Sequence, residues 1–154
     1  MSQAQARQIK IPTKAWKATE QIACKVMSVI AKYSGVEVEV SRDVDYETEG
    51  NRFKWIEGAG ASIEVKGNAP VEPVRNLLRN NGFRLIDTIS NTITEENDYK
   101  EWEVGEKWEK VVRTSDGVTI TIQVDLGYME SSRGAASLSS VFIYPIMNVQ
   151  RKRN

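Results

Sequence analysis

Histidine is absent from this 154-residue chain, and cysteine occurs once. The first absence removes the commonest general base near neutral pH, every Ser-His-Asp or Cys-His relay, and the usual zinc and iron ligand sets. The second rules out an internal disulfide, because Cys24 has no mate. With no histidine to draw off its proton, Cys24 reads as a small packing residue. No apolar run approaches the roughly 18 residues of a membrane-spanning helix. Residues 1–8 lack the hydrophobic core of a secretory signal, so a cytoplasmic protein is expected. A phosphate loop is missing too. Gly58-Ala-Gly60 has no third glycine at the right offset, no following helix and no Lys-Ser/Thr pair, and reads as a hairpin turn.

What is present is ordinary in bulk and uneven in detail. Hydrophobic residues make up 40% and charged residues 27%, which suits a soluble globular chain. Its length suits one domain, expected over residues 14–147 between basic tails at 1–13 and 148–154. The formal net charge is zero, with 21 bases and 21 acids. Residues 1–19 carry Arg7, Lys10, Lys14 and Lys17 without an acid, and residues 131–154 carry Arg133, Arg151, Lys152 and Arg153 without one. Taking those eight bases from 21 leaves 13 against all 21 acids in residues 20–130, a balance of −8. The body is acidic and the two ends are basic.

Helical periodicity marks two segments. Thr13 is placed to cap a helix over about residues 14–33, with Gly35 just beyond. At about 100° per residue, Trp16, Thr19, Ile22, Ala23, Val26, Met27, Val29, Ile30 and Tyr33 share an inward arc. Lys14, Lys17, Gln21, Lys25, Ser28 and Lys32 take the other. A shorter helix over about residues 71–80 carries Val71, Val74, Leu77 and Leu78. It tolerates Pro73 in its first turn and stops at Asn81-Gly82.

Three strands are expected between the helices. One spans residues 36–40 and extends past Arg42 if its alternation holds; the others lie at 53–56 and 62–66. After the second helix come a strand at 83–89, a weak alternation at Trp102 and Val104 not counted as a strand, and a hairpin of 107–113 with 118–126. Residues 127–140, rich in Gly, Ser and Ala, read as a flexible or disordered loop, and a last strand covers 141–147. Pro145 points to an edge or a bulge there. Val118, Ile120, Ile122, Val124 and Leu126 alternate with Thr119, Thr121, Gln123 and Asp125, the pattern of a sheet buried on one side and wet on the other. Short connections favour antiparallel pairing. The expected fold is therefore α+β: a largely antiparallel sheet with two helices packed on it, in the order α-β-β-β-α-β-β-β-β.

The sharpest local pattern runs from residue 36 to residue 49, where every odd position except Ser41 is acidic. A pleated strand sends alternate side chains to opposite faces. Glu37, Glu39, Asp43, Asp45, Glu47 and Glu49 are thus expected as one exposed row, with Val36, Val38, Val40, Val44 and Tyr46 inward. Such a row suits a basic partner surface. That partner is either a nucleic-acid-handling protein that the row occupies as an inhibitor or decoy, or a second copy of the chain in a homo-oligomer. An EF-hand is excluded although Asp43-Val-Asp45-Tyr-Glu47 begins like one, because the sixth position is Thr48 and the twelfth is Lys54.

The rival reading is a nucleic-acid-binding module using Lys14, Lys17, Lys25 and Lys32 with Arg151, Lys152 and Arg153. Solvation explains that face as well, and overall neutrality weighs against phosphate binding. A carboxylate-only enzyme needs two well-placed acids, and no pair stands out. A second acidic cluster, Glu95, Glu96, Asp98, Glu101, Glu103, Glu106 and Glu109, surrounds Tyr99, Trp102 and Trp108, whose tryptophans read as core residues. No catalytic residue, metal ligand or cofactor is assigned. The expected function is a non-catalytic protein-interaction module.

Overall fold

The computed structural model describes residues 13–42, 46–49, 52–55, 59–113 and 118–149. Its elements are α1 (Thr13–Ile30), β1 (Val36–Arg42), β2 (Tyr46–Glu49), β3 (Arg52–Trp55), β4 (Ala59–Val65), α2 (Glu72–Asn80), β5 (Arg84–Glu96), β6 (Tyr99–Arg113), β7 (Val118–Ser131) and β8 (Gly134–Val149). All strand pairings are antiparallel. The fold is α+β in the expected order, with the first expected strand present as two segments, β1 and β2. The sheet runs β1-β4-β8-β7-β6-β5, while β3 joins β8 and β2 pairs with β3.

The apolar side of β7 is the centre of the core. Ile120, Ile122, Val124 and Leu126 are each no more than 1% exposed. They lie among Val104 and Trp108 of β6, Val141 and Ile143 of β8, and Ala61 and Ile63 of β4. Ile22, Val26 and Ile30 of α1 and Val74 and Leu78 of α2 close over them. Each buried Val, Leu or Ile side chain among them contributes roughly 1.5–3 kcal/mol by leaving water. The end of α2 explains why its sequence stops at Asn81-Gly82. Phe83 N–H donates to Leu78 O at 2.9 Å and Gly82 N–H to Arg79 O at 3.2 Å, closing the last turn around Gly82 at φ +83°.

Several expectations are corrected. Residues 127–140 are not a loop: β7 continues to Ser131, turns at Ser132-Arg133, and returns as β8 from Gly134. Residues 90–106 belong mostly to the long β5–β6 hairpin, whose turn at Asn97-Asp98 uses a positive φ of 50° at Asn97. Gly60 lies inside β4 instead of in a turn. Helix α1 ends at Ile30, so Tyr33 leaves the inward arc and is exposed. Cys24 is exposed on α1 and packs no core.

Pro145 sits in a central strand, paired with Ile122 of β7 but opposite a break in the pairing on the other flank. On one flank of β8, β4 pairs with residues 140–143 and β3 with 146–148, so Pro145 falls in the gap between them. A residue without an N–H costs little there. Nor is the polar side of β7 wet along its middle. Thr121 and Gln123 are buried beside Tyr144 and Ile146 of β8. Gln123 donates to Asp125 at 3.2 Å, and burial, reinforced by Asp125, pushes the Tyr144 phenol up.

Candidate interaction surface

Strand β1 borders the sheet and has β4 as its strand partner among the described residues. Its alternation is the one the sequence demands. Val36 and Val38 are half-buried and pack against the core, whereas Glu37 and Glu39 stand exposed. In register, Glu37 faces Glu64, Glu39 faces Ser62 and Ser41 faces Gly60. Opposed carboxylates repel, and Lys66 relieves them: its Nζ lies 2.6 Å from Glu37 and 3.5 Å from Glu64. The hydrogen bond and charge of Lys66 hold the Glu37 carboxyl below its ordinary value. Val40 departs from the inward pattern and is 58% exposed, because α1 lies over β4, β7 and β8 and leaves this end of the border strand uncovered.

Beside Glu39 the outer side of the sheet is hollowed. A depression of ≈ 300 Å³ is lined by Glu39, Val40, Ser41, Gly60, Ser62 and Phe142. Gly60 makes it possible. A Cβ there would lie 2.4 Å from the carbonyl oxygen of Ile143, and the residue has φ +146°, so only glycine lets β4 lie this close to β8. The hollow thus joins a carboxylate, two hydroxyls and the Phe142 ring.

Only part of the acidic row falls on this surface. Asp43 and Asp45 lie outside the described residues, and Glu47 and Glu49 belong to β2, whose partner is β3 and not β4. The structure adds one member that the sequence reading missed, Glu64, which lies on a different strand. Its own alternation in Ser62-Ile-Glu-Val-Lys66, exposed against the buried Ile63, was the available signal.

The lysines of the rival reading are all exposed, Lys14, Lys17 and Lys25 on α1 and Lys32 in the turn beyond its end at Ile30. Lys25 Nζ donates to Asn81 Oδ1 at 2.8 Å, tying α1 to the end of α2. Arg151, Lys152 and Arg153 lie outside the described residues.

The second acidic cluster does not converge on a ligand site. Its one buried carboxylate, Glu106, is 4% exposed and fully engaged. Arg75 of α2 approaches through Nε at 3.1 Å from both oxygens and through Nη2 at 2.5 Å. Tyr128 donates to Glu106 at 2.6 Å and Trp108 Nε1 at 3.0 Å. Burial pushes the Glu106 carboxyl up, but these donors and the Arg75 charge outweigh it and hold the group below its ordinary value. Burial and the neighbouring carboxylate push the Tyr128 phenol up to about 12. Trp108 is core, as its setting in a strand suggested. Tyr99 already has the Arg133 guanidinium 5.5 Å from its ring centre. Among the described residues, no group of three acids or cysteines is placed to hold a metal ion, and no helix is long and apolar enough to cross a membrane.

The other surface that sequence reasoning missed is β5. All its described side chains are exposed, including Leu85, Ile86, Ile89 and Ile93. Period-two patterning gave little warning, because two register shifts, at Ile86 and Ile93, reset the alternation within the strand.

Comparison with known proteins yields no family model, no curated protein and no solved structure that matches the chain.

Proposed function

We propose that this protein is a non-catalytic interaction module of the cytosol that takes a basic, extended segment of a partner protein along the β1 border. The observation that carries this reading is the hollow beside Glu39, set in an outer face where Glu37, Glu39 and Glu64 are all exposed. An extended chain can hydrogen-bond along an open strand edge and send alternate side chains into flanking sites. A lysine or arginine reaching the hollow meets the Glu39 carboxylate and the Phe142 ring together, and a cation over an aromatic face gains about 0.5–1 kcal/mol at an exposed site. Lys66 competes for Glu37 and Glu64, so the bare surface is partly self-neutralised.

Peptide titration by calorimetry tests this with a lysine- and arginine-rich extended peptide at low salt. Glu39→Gln should weaken binding by about tenfold, which is 1.4 kcal/mol, and the triple change Glu37→Gln, Glu39→Gln, Glu64→Gln should abolish it. Lys66→Gln should tighten it, by releasing two carboxylates from their internal partner. Unchanged affinity in the triple variant overturns the proposal. Binding of nucleic acid that is steeply salt-dependent and lost on replacing Lys14, Lys17, Lys25 and Lys32 would favour the rival.

A further inference from the structure

Strand β5 is the far border of the sheet, and its described strand partner is β6 alone. Along its thirteen residues, the backbone donors and acceptors that point away from β6 have no strand beside them among the described residues. Soluble proteins usually protect such a border with lysine, proline, a very short strand or a covering element. Here the strand is long, Arg-Leu-Ile-Asp-Thr-Ile-Ser-Asn-Thr-Ile-Thr-Glu-Glu, and contains neither lysine nor proline. It is rich in β-branched residues, which favour the extended state. Leu85, Ile86, Ile89 and Ile93 are 47%, 44%, 50% and 53% exposed.

The charges say what pairs with it. The only base, Arg84, stands at one end, and Glu95 and Glu96 stand at the other. A second β5 laid parallel would set like ends together; laid antiparallel, it sets opposite signs together. We propose that β5 pairs antiparallel with β5 of a second copy about a two-fold axis at Ser90, joining the two sheets into one.

This register aligns all thirteen residues and places Arg84 opposite Glu96 of the other copy. The faces agree as well. Arg84 is opposite Glu109 of β6 and Glu96 is opposite Tyr99, and positions 99 and 109 lie an even number of residues apart on β6, hence on one side of the sheet. The two bulges fall four residues before and three after Ser90. Each therefore meets a neighbour bent in the same place: Ile93 comes opposite Asp87, next to Ile86. Ile89 comes opposite Asn91 and diagonal to the other copy's Ile89, within reach for long side chains across a strand pair. This inference stands independently of the β1 surface, which lies at the opposite border.

Light scattering and sedimentation of the intact chain over a concentration series test it. A dimer is expected, and Ile89→Lys, which sets two like charges on one face across the axis, should leave only monomer. Reversing Arg84→Glu or Glu96→Arg alone should weaken the dimer, and the two reversals together should restore it. In a Cys24→Ser background, Ser90→Cys should form an intermolecular disulfide on mild oxidation. Residues directly opposite in an antiparallel pair have Cα atoms about 4.5–5.5 Å apart, inside the range a disulfide spans. Ile86→Cys in the same background should not cross-link to itself. A chain that stays monomeric at every concentration overturns the proposal. So does a dimer that ignores Ile89→Lys, or one in which Ser90→Cys fails to cross-link.

Discussion

At the scale of single residues, Glu106 carries more consequence than any other acid. It joins α2 to the sheet through Arg75, and it sits on the apolar side of β6 between Val104 and Trp108. Its carboxyl is held below the ordinary value in the folded chain, so its contribution to stability is present above that ordinary value, near 4.5. The contribution fades as pH falls through the lower, folded value. Glu106→Gln should cost about 3 kcal/mol at pH 7, the low end for breaking a buried pair, because Arg75 keeps Glu72 at 2.9 Å. It should also flatten the acid limb of a urea-denaturation series below pH 4.5. Equal pH dependence in the variant and the parent would assign acid sensitivity elsewhere. The residue was half legible. Its position in phase with Val104, Trp108 and Val112 marks it as inward, but its partner lies 31 residues away on a helix, and no local pattern points there.

Among the elements, β4 and β8 show how small residues were misjudged. Gly60 looks like a turn residue beside Gly58, yet it serves as a contact between strands. Gly60→Ala should destabilise the fold by at least about 1–3 kcal/mol from backbone strain alone, with the clash at Ile143 O added. The shift of a chemical-denaturation midpoint at constant slope measures it. Gly127 teaches the same lesson. It stands opposite Ser140 in the β7–β8 ladder, so the Gly/Ser/Ala stretch taken for a loop is a strand pair despite its composition. Strand preference is set by neighbours more than by composition. Where one apolar face met one polar face, as over residues 118–126, the element was plain from the sequence. The outward acids of β1 were equally plain, but whether Glu47 would continue their line depended on strand pairing, which sequence spacing does not encode.

For the molecule as a whole, protection against amide exchange should follow the sheet order. Amides of β7 and β8, in the centre and flanked on both sides, should exchange slowest. Those of β5 that point away from β6 should exchange fast in dilute solution and slow as concentration rises, if β5 meets its copy. Uniform protection across the sheet at all concentrations would contradict this gradient.

The position of β8 has a kinetic consequence. It follows the other nine elements in the chain, yet it is the strand to which β4, β3 and β7 all attach. A ribosome delivers on the order of 5–20 residues per second, so the β1–β4 and β2–β3 hairpins leave the exit tunnel well before the strand that receives them. During that interval their inner flanks are open and the core beneath α1 lacks a wall. The nascent chain closes only when β8 slides between hairpins that have been waiting for it. Stalling translation just before Gly134 should therefore trap a protease-sensitive species, one in which β4 and β7 have no strand between them.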